Sequence, residues 1–175
     1  LELQAQRDSI IIEPNIPVIT GKMSRYPYIC GVYEGVSDDD IAEYIQGQKG
    51  YKKIMTTPEG FCKVKRAFRK LQINPRQDYF LLFDECEKIV QDIDYRKTIS
   101  LPIKDFFSFQ NKAMVSATPI IPTDPNFEQQ NFTHIKVKPD FNYKRSLNLW
   151  QTNNPILLLC CVMRKIKKEK PICVF

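Results

Sequence analysis

The sequence is poor in the side chains that bind transition metals. It has one histidine, and none of its six cysteines forms a C-x-x-C pair, so the spacing of a structural zinc site is absent. The adjacent Cys160 and Cys161 lie in an apolar run, and we interpret them as reduced thiols of a core. Reduced cysteines are typical of cytoplasmic proteins.

The sequence also lacks a long apolar run. The longest, residues 156–163, is far shorter than the roughly 20 residues that span a bilayer, and a basic segment follows it. The first residues, 1–8, are polar and mixed in charge, unlike a signal peptide. We therefore predict a cytoplasmic protein without a membrane segment. The chain does not begin with Met, and we expect its true start to lie upstream of Leu1.

The bulk composition is that of a globular protein. Its 175 residues are 43% hydrophobic and 26% charged, which suits one domain, or one domain and part of another. The net charge of +6 permits contact with phosphate backbones. Many proteins of similar charge bind no nucleic acid, so charge alone does not identify a partner.

Short apolar runs without polar alternation dominate the pattern. Ile10-Ile11-Ile12 is one example, and such runs are typical of strands buried on both faces of a parallel sheet. Helical patterns alternate with these runs, so the sequence predicts an α/β fold. The predicted strands are residues 9–13, 28–33, 53–57, 79–84, 113–117, 134–138 and 172–175. The predicted helices begin after Ser37, at Pro58 and after Glu85, and a fourth spans about residues 155–168.

The strongest chemical signal is a pair of acids at the end of an apolar strand. Asp84 and Glu85 follow the run Phe80-Leu81-Leu82-Phe83. Ligands of open α/β sheets bind beyond the carboxyl ends of the strands, where Asp84 could hold Mg²⁺ and Glu85 could activate a water. The alternative is that the two acids only cap the helix that follows.

A second strand ends in small hydroxyl residues. Ser116-Ala117-Thr118 follows an apolar run and begins 32 residues after Asp84. The tripeptide is uninformative by itself, because Ser and Thr are common where strands end. Its value lies in the order of the two segments along the chain.

That order resembles motifs II and III of the DEAD/DEAH-type (superfamily 2) helicases. Two upstream segments fit the same series: Ile12-Glu13-Pro14-Asn15 lies in the place of motif Ia, and Met55-Thr56-Thr57-Pro58-Glu59 resembles motif Ib. The resemblance covers about residues 9–118. The last predicted strand resembles the opening strand of a second RecA-like domain.

The resemblance implies a fold, a cofactor and a set of roles. Residues 1–141 would form part of a first RecA-like domain with a largely parallel sheet, and residues 142–175 a linker and the start of a second RecA-like domain. Asp84 would be the magnesium-site acid, Glu85 the catalytic acid/base, and Ser116 and Thr118 the groups that couple ATP to the nucleic-acid site. The nucleic-acid contacts would be Pro14, Asn15, Thr56 and Thr57. The basic helix residues Lys63 and Arg66 could add non-specific attraction, and the alternative is that they only form a solvated helix face.

The sequence departs from the family at the ATP phosphate loop. No G-x-x-x-x-G-K-S/T segment (the Walker A loop) is present, and Gly21-Lys22, the one Gly-Lys pair, is followed by Met23 and is predicted to be a turn. Glu87 also replaces the Asp or His at the fourth position of motif II. These departures predict that the chain by itself turns over ATP poorly.

Three functional hypotheses follow. The first is a piece of a nucleic-acid-dependent ATPase motor that uses Mg²⁺ and ATP, with DNA favoured over RNA as the partner. The second is a non-catalytic, degenerate helicase domain that binds nucleic acid or protein. The third is an unrelated α/β enzyme that uses Asp84 and Glu85 with a metal on another phosphate ester, for which the sequence offers no further convincing ligands.

Overall fold

A computed structural model describes residues 2–87, 101–117, 124–137, 153–154 and 156–157. Contacts within the chain divide it into two units, Leu1–Lys136 and Val137–Phe175. Nearly all the described residues belong to the first unit, which contains every helix and strand named below.

The first unit is built on a five-stranded, entirely parallel sheet. Its order is β2-β3-β1-β4-β5, and all its neighbours pair in parallel. Ile12 lies opposite Thr56 on one side and Phe83 on the other, so the carboxyl ends of the central strands are level. The strands are β1 (Ser9–Ile12), β2 (Ile29–Val32), β3 (Lys53–Thr56), β4 (Phe80–Phe83) and β5 (Asn111–Met114).

Helices flank this sheet on both faces. Ser37 caps one of them, since its hydroxyl accepts the amide of Asp40 while the Asp40 carboxylate accepts the amide of Ser37. Within the described residues, no helix is long and apolar enough to cross a membrane. The helices are α1 (Ile16–Arg25), α2 (Asp38–Gly47), α3 (Phe61–Lys70), α4 (Pro75–Asp78), α5 (Leu101–Phe106) and α6 (Pro125–Gln129).

The core lies on the two faces of β1. Ile10 and Ile12 point to the larger core, which is closed by α2 and α3 and by Phe106 of α5. Ile11 points the other way and packs with Ile19 of α1 and Met55 of β3. All four residues of β1 are buried, as expected for the central strand of a sheet covered on both faces. The predicted α/β class and largely parallel, RecA-like sheet are confirmed.

Two predictions about local structure are wrong. Gly21 and Lys22 do not form a turn, because they lie inside α1, a helix that begins after Asn15 with Pro17 in its first turn. Residues 134–137 form no strand, and all four are exposed. An alternating pattern is not sufficient for a strand when no neighbouring strand pairs with it.

Other predicted elements are shifted or only partly described. The strand predicted at 113–117 is β5, which starts two residues earlier and ends at Met114. The helix predicted at Pro58 begins at Phe61, after a turn. Residues 86–87 are helical, as predicted after Glu85. Most of the helix predicted at 155–168 and the strand predicted at 172–175 lie outside the described residues.

Candidate functional site

The candidate site lies where three neighbouring strands end. The main-chain amide of Asp84 donates to the carbonyl of Ile12 at 3.0 Å, and that of Val115 donates to the carbonyl of Phe83 at 2.9 Å. These bonds continue the pairing of β4 with β1 and β5 beyond the strands themselves. The side chains that follow the three strands therefore meet at one edge, where ligands of open parallel sheets bind.

Asp84 and Glu85 form a tight turn after β4. The Asp84 carboxylate accepts the main-chain amide of Glu85 at 3.1 Å, and Glu85 has a φ of 47°, in the left-handed region. That conformation is unfavourable for a residue with a β-carbon, and such residues cluster at functional sites. The side-chain amide of Asn15 donates to the Glu85 carboxylate at 3.4 Å. The structure thus brings together two residues that the sequence assigned to different roles.

Lys22 supplies positive charge at this edge. It lies in the second half of α1, and its Nζ is 3.5 Å from Asp84 Oδ2 and 3.6 Å from Glu13 Oε2. Both distances exceed an ordinary N–H···O hydrogen bond, so these are loose ion pairs. The side chains of Lys22 and Asp84 are 33% and 30% exposed, and both are therefore open to a ligand.

Glu13 is the buried member of the group. It follows β1, and its side chain is only 2% exposed. Its Oε1 has no hydrogen-bond partner among the residues that the structure describes. Burial raises the pKa of the Glu13 carboxyl, the charges of Asp84 and Glu85 raise it further, and the Lys22 ammonium opposes the rise. A buried carboxyl with an unsatisfied oxygen is unfavourable for folding, so packing does not account for it.

The oxygen donors at this edge would suit a hydrated magnesium ion. Within the described ranges, no three or more His, Cys, Asp or Glu side chains are arranged as a metal site. Mg²⁺ does not need such a group, because it keeps several waters and uses one or two carboxylates together with phosphate oxygens. Asp84 would hold the ion, and the unsatisfied oxygen of Glu13 adds negative charge close by.

The turn after β3 uses its hydroxyl groups internally. Thr56 and Thr57 are buried, with exposures of 0% and 7%. Thr56 Oγ1 donates to the carbonyl of Thr57 at 3.0 Å, and Thr57 Oγ1 accepts the amide of Gly60 at 3.1 Å. The sequence assigns both threonines to phosphate contact. In the structure their hydroxyls brace the turn that leads into α3.

The basic face of α3 is paired with groups of the protein itself. Lys63 Nζ donates to the carbonyls of Tyr33 and Val36 at 3.0 and 2.8 Å. Arg66 makes two hydrogen bonds to the Asp38 carboxylate, of 2.7 and 3.0 Å. Further ion pairs join Lys65 to Asp105 and Lys70 to Asp39. Much of the charge expected to attract nucleic acid is therefore already offset.

The remaining predicted residues lie near the acid pair or outside the described chain. Ser116 is half-buried beside the turn of Asp84 and Glu85, since the amide of Cys86 donates to the carbonyl of Val115 at 3.1 Å. Pro14 is half-buried at the start of the segment from β1 to α1. Thr118 lies outside the residues that the structure describes.

Sequence reasoning missed Glu13 and Lys22. The signal for Glu13 was the one that identified Asp84, an acid directly after a buried apolar strand. The signal for Lys22 was a helix start, because Asn15 followed by Pro17 is typical of a cap and a first turn. Recognising α1 would have moved Lys22 from a turn to a helix beside the sheet edge.

In comparisons with known proteins, no family model and no curated protein matches the chain. The functional interpretation therefore depends on the residues at the sheet edge and on the order of the motifs.

Proposed function

We propose that the chain is part of a nucleic-acid-dependent ATPase motor of the helicase type, which couples ATP hydrolysis to movement on, or remodelling of, DNA or RNA, with DNA favoured. One observation carries the proposal. Asp84 and Glu85 follow β4, and the segments that follow its two neighbours, β1 and β5, contain Asn15 and Ser116, so motifs Ia, II and III of the resemblance share one sheet edge. A phosphate group with its magnesium ion would meet all three there.

The roles at this edge follow from charge and position. Asp84 is exposed enough to bind Mg²⁺ and adjoins the open part of the edge. Glu85 is the candidate base for the attacking water, and Asn15 limits the orientation of its carboxylate. When bound, Mg²⁺ would polarise the phosphate oxygens. Ser116 would sense the nucleotide beside this turn, with Thr118 two residues further on.

The nucleic-acid part of the proposal rests on the motif order. Lys63 and Arg66 are engaged by Tyr33, Val36 and Asp38. They would contact a DNA backbone only by giving up those bonds. Pro14 and Asn15 complete the proposed surface, and the buried Thr56 and Thr57 would shape it rather than contact the DNA. A second RecA-like domain and a cytoplasmic location belong to the same proposal.

The test uses the natural full-length protein, with phosphate release measured at saturating Mg²⁺–ATP with and without single-stranded DNA. We expect stimulation by DNA and a loss of at least about a hundredfold in Glu85→Gln, the scale of a positioned acid/base. Binding of ATP to the variant should be retained. Glu34→Gln is the matched control, because Glu34 is an exposed acid that follows β2 rather than β4. Turnover retained in Glu85→Gln would refute the role of Glu85.

A second function is favoured by one contact. The Lys22 ammonium lies 3.5 Å from Asp84 Oδ2 and offsets part of the Asp84 charge. A degenerate, non-catalytic domain that binds nucleic acid or protein would use such a pair as a permanent structural contact. Absence of ATP binding and turnover in the full-length protein, with DNA binding intact, would establish this alternative over the motor.

A further inference from the structure

Lys22 lies between a buried acid and a partly exposed acid. Its Nζ is 3.6 Å from the carboxylate of Glu13, which is buried, and 3.5 Å from that of Asp84, which is partly exposed. Glu13 cannot turn towards solvent, since its side chain is 2% exposed at the end of the central strand. Lys22 is one-third exposed and reaches the pair from α1 on a flexible stem.

The second oxygen of Glu13 leaves room for this ammonium to shift. Glu13 Oε1 has no hydrogen-bond partner in the described part of the chain, although it is buried. An ammonium has three donors, and neither of its two ion pairs here is at hydrogen-bond distance. A shift of the Lys22 ammonium from Asp84 to Glu13 would satisfy this otherwise unpaired oxygen.

We infer that Lys22 is a counter-cation that pairs with both Glu13 and Asp84. A divalent cation that binds Asp84 would displace the ammonium from Asp84, and Lys22 would then pair with Glu13 alone. The inference deepens the proposed function, because it rests on Asp84 as the magnesium-site acid. A divalent ion at Asp84 repels the ammonium, and Glu13 receives it. Lys22 is thus a positioning residue that sets how readily the edge accepts a metal ion.

Removing the charge of Lys22 and removing the charge of Glu13 should change the affinity for a divalent cation in opposite directions. Lys22→Met removes the competitor and should tighten divalent binding about fivefold or more, the lower end of typical coupling between ligands. Glu13→Gln removes the anchor and a nearby negative charge, so Lys22 turns to Asp84 and binding should weaken by a similar factor. In the double variant both charges are absent, and its affinity should lie between those of the single variants.

The matched control is Arg25→Met. Arg25 is an exposed cation on the same helix, one turn from Lys22, and it makes no ion pair with Glu13 or Asp84 in the described residues. It carries the same charge and lines the same cavity as Asp84, but among the described residues it is paired with neither acid. At about 0.15 M salt, screening should make its effect on divalent affinity much smaller than that of Lys22→Met.

The experiment is a Mn²⁺ titration of the full-length protein without nucleotide. Electron paramagnetic resonance measures the concentration of free Mn²⁺ at each step, which gives the affinity of the protein for the ion. Asp84→Asn identifies the site by the binding that it removes, and urea unfolding of each variant verifies that it is folded. Tighter binding in Lys22→Met and weaker binding in Glu13→Gln support the inference. It is overturned if Lys22→Met matches Arg25→Met, or if no binding depends on Asp84. Phosphate release is measured separately, so failure of the ATPase proposal is distinguishable from failure of this one.

Discussion

Gly60 allows the most direct test of the packing around the site. It is the residue before α3, with φ −67° and ψ −21°, a conformation that any residue adopts. Glycine is needed there for space alone. A β-carbon would lie 2.8 Å from the carbonyl oxygen of Val32 and 2.7 and 3.2 Å from the hydroxyls of Thr56 and Thr57. Two of these distances are shorter than real β-carbons tolerate.

Gly60→Ala is therefore expected to destabilise the protein. Alanine restricts the unfolded chain, which alone would stabilise by about 0.4–1 kcal/mol. Overpacking against a neighbouring backbone typically costs about 1–3 kcal/mol, and alanine is also poorer than glycine as a helix cap. We expect a net loss of about 1–3 kcal/mol, which corresponds to roughly 2–4 °C in Tm for each kcal/mol in a chain of this size.

The matched control is Gly21→Ala. Gly21 lies inside α1, and a β-carbon there would meet no atom within 4 Å. Its replacement should raise the free energy of unfolding by about 0.5–1 kcal/mol. Both variants are compared with the wild type by urea unfolding and by thermal unfolding. If Gly60→Ala were as stable as the wild type while Gly21→Ala gained stability, the close approach of β2, β3 and the turn would be wrong.

Three further predictions concern charges away from the sheet edge. Lys53→Met should lower the free energy of unfolding by about 2–4 kcal/mol, because the buried Nζ of Lys53 donates three hydrogen bonds, two of them to main-chain carbonyls near the N-terminus. The amides of residues 2–8 should also exchange faster with solvent in this variant. Unchanged exchange at these residues would contradict the prediction. Burial raises the pKa of Cys30 to about 11 and of Tyr44 to about 12. The two neutral groups therefore stabilise the folded state fully below about pH 9, and this stabilisation is lost as the pH rises to about 12. The urea midpoint of unfolding should fall between these pH values. A midpoint that does not change with pH would contradict the burial of Cys30 and Tyr44. The coupling between Arg66 and Asp38, measured by a double-mutant cycle, should be small and should vanish near 1 M salt, since the pair is exposed.

Much of the sheet and of the acid pair was predictable because the signals are local. An uninterrupted apolar run such as Ile10-Ile11-Ile12 is incompatible with a solvated face, so it indicates a buried parallel strand in any arrangement. Ser37 and Asp40 cap α2 through groups three residues apart, which the sequence displays directly. The position of Asp84 and Glu85 after a strand was equally visible.

The predictions that were wrong depended on contacts between residues far apart in sequence. Residues 134–137 have the alternating pattern of a strand, but a strand is stable only when a neighbouring strand pairs with it. The local sequence does not show whether such a neighbour exists. α1 was missed because Gly21, a poor helix former, lies in its interior, whereas burial of Ile19 against the sheet stabilises the helix regardless of propensity. The nucleic-acid role of the basic residues of α3 stays a prediction, but the groups that they contact lie far from them in sequence: the carbonyls of Tyr33 and Val36 for Lys63 and the carboxylate of Asp38 for Arg66.

The sequence by itself determined the α/β class, the strands of the core and the acids that end β4. Only the tertiary structure decided which residues accompany those acids. Strand order places β1 beside β4, and this brings Glu13 and Asn15 to Asp84 and Glu85, about seventy residues further along the chain. Lys22 lies close to these acids because α1 packs against the face of the sheet that contains Ile11 and Met55. Local patterns arise from interactions between near neighbours, whereas the site is assembled by strand order and helix packing, which depend on the whole chain.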